Sequence, residues 1–284
     1  MKLTLTTLCF LGVLQLVDNA PVTSKYQMEK TWKMDPNSNN LALAKDAKLD
    51  RLKVVPDPFE NSGENVFQVS YPKGSYSPSG SNKEGGVNFY SQPFGTNGYQ
   101  RAILTYEVGF KEGFNFVEGG KLPGLYAGEA ASGCSGGNQS DGKKCFSTRL
   151  MWRQSGAGEV YDYLPKQGDS FCKTTDVVCN KDYGTSIGRD KYKFSTGWNQ
   201  VHMFVQVNDV GSSNGNIELY INKTKVLAID SLTYRTNPNL GIQSLMFSTF
   251  FGGSEPRFAT PVDAYVYFRN IEFGVADECG SSKK

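Results

Sequence analysis

The sequence predicts an all-β protein, an antiparallel β-jelly-roll sandwich with a concave groove on one sheet. Three observations carry this. Short runs of alternating hydrophobicity recur along most of the 284 residues, and clusters of Gly, Asn and Ser separate them. No helix-period segment is long enough to cross between parallel strands, which leaves antiparallel pairing. The composition is rich in Gly, Tyr and Phe, as suits a sandwich with polar, aromatic clefts.

In chain order, Met1-Lys2 precedes the apolar run Leu3 to Val17. That run is too short to span a bilayer and right for a secretory signal. Residues 1–20 are therefore expected to be cleaved near Ala20, and the protein to be secreted. No later stretch has the apolar length of a membrane span, so no membrane partner is expected. Residues 21–60 are polar and lack strand alternation; they read as a peripheral segment, with Asn40 capping a short helix over Leu41 to Leu52. Residues 61–284 are long enough for one large β domain with a full core.

Within that domain the predicted strands are Asn65 to Tyr71, Val87 to Ser91, Tyr99 to Phe110, a central hairpin, Gln200 to Val207, Ile217 to Tyr220, Val226 to Ile229, Ile242 to Phe251 and Tyr265 to Phe273. The hairpin lies within Cys145 to Pro165. Its first strand puts Ser147, Arg149, Met151 and Arg153 on one face, with Phe146, Thr148, Leu150 and Trp152 toward the core. On its second strand Tyr161 and Tyr163 share a face. An even loop would turn those tyrosines away from Arg149, so an odd loop or a bulge is expected. A three-residue loop Ser155 to Ala157 would set Arg149 opposite Tyr163 and Met151 opposite Tyr161.

Thirty basic and 28 acidic residues nearly cancel, which argues against a nucleic-acid partner held by bulk charge. Any anionic partner must be held by a local patch. Of six cysteines, Cys9 leaves with the signal and the remaining count is odd. Cys134 with Cys145, and Cys172 with Cys179, flank short loops and are expected to form disulfides; Cys279 is the expected free thiol. No Cys-x-x-Cys occurs and His202 is the single histidine, so no metal site is expected. Sequons at Asn138 and Asn222 suit exposed loops of a secreted glycoprotein.

Several chemistries are disfavoured. The chain lacks the paired strand carboxylates of a sandwich glycosidase, since Glu159 and Asp162 fall on opposite faces. It also lacks HExxH, an EF-hand loop, a phosphate-cradling Gly-rich loop and a Gly-x-Ser-x-Gly elbow. Tyr, Lys, Arg and Ser remain, and they suit β-elimination on a polyuronate. The C5 proton is α to the C6 carboxylate, so it becomes removable once that carboxylate is neutralised and the developing enolate stabilised. A phenol or amine beside cations can take this proton, and a phenol can protonate the glycosidic oxygen.

The run GGKLPGL at Gly119 to Leu125, followed by Ser147-Thr148-Arg149 and Tyr161-Asp162-Tyr163, resembles the pattern of polysaccharide lyase family 14. The resemblance extends from about Asn65 to Phe273 and includes FFGG at Phe250 to Gly253 and the late run AYVYFRNIEF. It implies a β-jelly-roll that cleaves alginate endolytically without metal or other cofactor, with mannuronate-rich blocks favoured. By position it implies a catalytic set of Lys121, Ser147, Arg149, Tyr161 and Tyr163. Tyr163 is then the leading acid and base, with Tyr161 assisting or stacking on a sugar. Arg149 neutralises the carboxylate and Ser147 donates a hydrogen bond. Lys121, on a Gly/Pro-rich loop over the groove, either stabilises the carboxylate or replaces a tyrosine as base.

Three further residues are substrate-binding candidates, each beside a plainer reading. Arg153 is a subsite contact or an exposed strand residue that discourages edge pairing. Arg101 is a substrate contact or part of a surface salt bridge. His202 points away from the apolar face of its strand and lines the groove or is structural. The expected partner is an anionic polysaccharide bound by a monomer. The alternatives are a lyase of another polyuronate, such as glucuronan, and a non-catalytic carbohydrate-binding jelly roll.

Overall fold

The computed structural model describes residues 27–38, 40–78 and 82–280; the expected signal segment lies outside them. Fifteen strands follow one another with three short 3-10 turns and no α-helix among the described residues. They are β1 (Lys30–Met34), β2 (Leu52–Pro56), β3 (Asn65–Tyr71), β4 (Val87–Ser91), β5 (Tyr99–Phe110), β6 (Gly119–Ala127), β7 (Phe146–Arg153) and β8 (Gly158–Tyr163). The second half comprises β9 (Val177–Val178), β10 (Thr185–Ile187), β11 (Gly197–Gln206), β12 (Gly215–Ile221), β13 (Thr224–Leu232), β14 (Ile242–Phe251) and β15 (Ala264–Glu278).

All pairings are antiparallel, and they form two layers. The first runs β13-β12-β11-β5-β15-β3-β2, with β1 on the far half of β15. The second runs β4-β14-β6-β7-β8-β10-β9. One pairing, Ile242 with Tyr99, joins them. The layers meet through aromatic side chains supplied by alternate positions of each strand. Tyr71 and Phe110 of the first layer stand edge-on to Trp152 of the second, and Phe247 stands edge-on to Phe268. This is the jelly-roll sandwich that alternation predicted.

Three local expectations need correction. No helix covers Leu41 to Leu52. Asn40 Oδ1 instead accepts from the Ala42 amide, Leu43 bridges to Ser91, and the chain enters β2 at Leu52. Mixed charge without a consistent apolar stripe gave that helix nothing to bury, whereas the exposed edges of β3 and β4 offered backbone partners.

The central hairpin has an odd loop of three residues, Gln154–Gly156 rather than Ser155 to Ala157. Ser155 takes φ 55° and Gly156 φ 78°, and the Arg153 amide donates to the Ala157 carbonyl. The register is therefore two residues from the expected one: Ser147 faces Tyr163 and Arg149 faces Tyr161. A shift of two leaves every side chain on its own face, so the shared surface survives.

The run GGKLPGL is a strand, not a loop. Pro123 falls at a register shift between Leu122 and Gly124 in the β6–β7 pairing, where a missing amide costs no ladder bond. Gly120 is required by the packing: a Cβ there would lie 2.0 Å from the Trp152 ring.

Candidate active site

The outward face of the second layer assembles its polar residues in rows set by strand register. Lys121, Met151 and Glu159 form one row across β6, β7 and β8. Gly124, Arg149 and Tyr161 form the next; Tyr126, Ser147 and Tyr163 form the third. Successive rows on a strand face are about 7 Å apart. Ser147, Arg149, Tyr161 and Tyr163 thus stand on one surface, as the alternation of the hairpin required, and Lys121 joins them from β6. All five are buried; Lys121 is 8% exposed and Arg149 2%.

Two cations in this surface lack a counter-charge. Neither Lys121 nor Arg149 pairs with a carboxylate among the described residues. Lys121 Nζ lies 3.1 Å from the Tyr161 ring centroid and 2.7 Å from Met151 Sδ. Arg149 Nη1 reaches Ser248 Oγ at 3.4 Å, its Nε has no partner among the described residues, and its guanidinium lies 6.0 Å from the Tyr163 ring centroid. Burial, reinforced by Arg149 and Arg153, pushes the Lys121 ammonium well below the usual lysine range. Burial also lowers Arg149 and raises the Tyr161 phenol.

Two loops touch the phenol oxygens. Tyr163 Oη accepts from the Gly137 amide at 3.0 Å, and Tyr161 Oη accepts from the Gly184 amide at 3.1 Å. Gly137 lies in the loop closed by the Cys134–Cys145 disulfide, which forms as expected; so does Cys172–Cys179, and Cys279 is the free cysteine among the described residues. Ser147 does not face open space. Its hydroxyl donates to the Cys134 carbonyl at 2.6 Å, so it ties that loop to the sheet.

The three outlying candidates separate. Arg153 stays on this face, 5.9 Å from the Tyr161 ring centroid. Arg101 and His202 do not join it. Both sit on strands of the first layer, β5 and β11, on the side away from the shared core. Arg101 pairs with Asp277, the salt-bridge reading, and His202 has no partner on either ring nitrogen among the described residues. Alternation gave the correct side of each strand but carried no information on which layer held the strand.

Residues that sequence reasoning missed complete the surface. Glu159 is fully buried between Arg153 and Arg189. Arg189 follows a three-residue strand with no usable alternation, so no pattern marked it.

Comparison with known proteins agrees with this architecture. The profile of the family described as polysaccharide lyase 14 matches residues 59–271. The crystal structure of the marine PL-14 alginate lyase from Aplysia kurodai superposes with a TM-score of 0.76 at 32% identity, over 88% of this chain and 100% of that one. Alginate lyase vAL-1 from Chlorella virus shares the fold, with a TM-score of 0.68 at 22% identity over 81% of this chain and 91% of its own. Exolysin of Paramecium bursaria Chlorella virus 1 is 24% identical over 191 residues, 60% of this chain. That match spans only 29% of the viral protein's length. With the profile extending through both layers and every strand of the tyrosine-bearing face, the chain belongs to the polysaccharide lyase 14 family.

Proposed function

We propose that the protein is a secreted alginate lyase that cuts mannuronate-rich chains endolytically by β-elimination. One observation carries this reading: Lys121 and Arg149 are buried cations without carboxylate partners among the described residues, on the same face as two phenols. An unpaired buried charge is expensive, and a uronate carboxylate arriving at this face supplies the missing partner. Arg149 and Lys121 then draw charge from the C6 carboxylate and make the C5 proton removable.

Tyr163 is the proposed base. Removal of the C5 proton forms the C4–C5 double bond, the C4–O bond breaks, and a proton passes to the leaving glycosidic oxygen. In mannuronate the C5 proton and the C4 oxygen lie on the same side of the ring, so the Tyr163 oxygen, acting as phenolate, takes the C5 proton and then delivers it to the glycosidic oxygen. Tyr161, held protonated by burial, donates a hydrogen bond and stacks its ring under Lys121. Ser147 acts at one remove, through the disulfide loop it anchors.

The test is the ultraviolet absorbance of the C4–C5 double bond, followed with mannuronate-rich alginate, guluronate-rich alginate and glucuronan offered separately. A rise on the mannuronate-rich polymer, with viscosity falling early, supports the full reading. A rise on glucuronan alone keeps the chemistry and replaces the substrate. Binding without any rise makes the protein a carbohydrate-binding module.

A further inference from the structure

Beside Lys121, away from Arg149, a carboxylate is buried in a surface otherwise suited to anions. Glu159 has no exposure and uses both of its oxygens. Oε1 accepts from Arg153 Nε at 2.9 Å, from Arg153 Nη2 at 2.5 Å and from Ser186 Oγ at 3.0 Å. Oε2 accepts from Arg189 Nε at 2.6 Å, and Arg189 Nη2 donates to Ser186 Oγ at 2.9 Å. Burial opposes ionisation of Glu159, but the two guanidinium groups hold its carboxyl below the usual range. The cluster carries two positive charges and one negative.

We propose that Arg153 and Arg189, held by Glu159, form a subsite for the carboxylate of a uronate residue flanking the scissile bond. The proposal rests on the polyuronate reading above. Arg153 lies one row beyond Met151, the β7 neighbour of Lys121, about 7 Å further along that strand face. Each guanidinium gives only part of its donor fork to Glu159 and Ser186, and Arg189 is 41% exposed, so donor edges remain for a ligand. Glu159 is the positioning residue. It offsets the mutual repulsion of two guanidiniums beside Lys121 and fixes both side chains before the ligand arrives, which spares the ordering cost on binding.

The experiment measures calorimetric binding of mannuronate trimer and pentamer to a Tyr163→Phe protein, in which turnover is suppressed. The expected result is a gain in affinity from trimer to pentamer that falls at least about fivefold when Arg189→Gln is added. Glu159→Gln should produce a similar loss, and the double change should add little to Arg189→Gln alone. Steady-state assays of the single Arg189→Gln variant should show KM raised more than kcat is lowered. An unchanged trimer-to-pentamer gain in Arg189→Gln, with the parent binding normally, overturns the subsite. Arg189 is partly exposed, so this variant stays informative if Glu159→Gln fails to fold. Failure of the parent to bind either oligomer overturns the polyuronate reading itself.

Discussion

The Lys121 ammonium lies against the face of Tyr161, 3.1 Å from the ring centroid, with the Met151 sulfur as its only hydrogen-bond acceptor among the described residues. A cation–π contact offsets part of the desolvation of an ammonium but does not replace a carboxylate. The site therefore holds a charge that weakens the fold and that an anionic ligand would compensate.

Lys121→Met tests this directly, because methionine fills a similar volume without charge. Turnover should fall at least about 100-fold, while the fold gains about 1–3 kcal/mol near neutral pH. The gain should depend on pH. The folded-state pKa of Lys121 is below its ordinary 10.5, so the unfolded chain binds more protons between the two values and wild-type stability rises with pH there. The variant's advantage in thermal melts should shrink as pH approaches 10.5. A variant less stable than wild type at every pH would show that Lys121 is not strained.

Asp162 sits on the core side of β8, behind the tyrosines. Both its oxygens lack hydrogen-bond partners among the described residues, and burial pushes its carboxyl up from 3.8 to about 8, against smaller opposing effects from Thr148 and Arg149. A carboxyl raised by folding contributes full stability below its unfolded pKa and loses it as pH rises through the folded value. The window is pH 4 to 8, and the interval corresponds to roughly 5 kcal/mol. Asp162→Asn, which cannot ionise, should match wild type near pH 4 and exceed it increasingly toward pH 8 in denaturant titrations. Parallel stability curves across that window would contradict the assignment.

The fold was legible because alternation is a local signal, and strands such as Asn65–Tyr71 and Tyr99–Phe110 display it over their whole length. The shared face of Arg149, Tyr161 and Tyr163 was legible for the same reason. What stayed hidden depends on contacts distant in sequence. Lys121 reads as a loop residue because Gly and Pro surround it, and only the bulge opposite Leu150 and Arg149 makes a strand of that run. Glu159 meets Arg189 across 30 residues, through a strand too short to show a period. His202 alternates correctly on β11 and still sits on the other layer, since periodicity is blind to sheet order.

The disulfides should separate by function. Cys134–Cys145 closes the loop that brings the Gly137 amide to Tyr163 Oη and accepts from Ser147 through the Cys134 carbonyl. Cys172–Cys179 closes a loop whose 3-10 turn packs against β9 at the sheet edge. Replacing either pair with serines should cost about 2–3 kcal/mol for loops of this size. Activity assayed well below the melting temperature should fall about tenfold or more for the Cys134/Cys145 pair and stay within about twofold for the other. Ser147→Ala should follow the first pair, since it releases the same loop. Equal activity losses from both pairs would indicate general loosening of the layer.

The two phenols should also separate. Each accepts a backbone amide, but the Gly184 amide is buried and the Gly137 amide only half-buried, so Tyr161→Phe should cost about 1–3 kcal/mol and Tyr163→Phe less, water reaching its donor. Denaturant titration of each variant sets the baseline against which its chemistry is compared. Tyr163→Phe removes the proposed proton-transfer group and should lower kcat by about 100- to 10,000-fold with little change in oligosaccharide affinity. Tyr161→Phe retains the ring beneath Lys121 and loses only a donor, so its loss should be nearer tenfold. Stopped assays of unsaturated product give the rates, and binding to the slowed variants gives the affinities. If Tyr161→Phe proved the more damaging, the proton would pass through Tyr161, and the Lys121 cation against its ring would become the group that tunes the transfer.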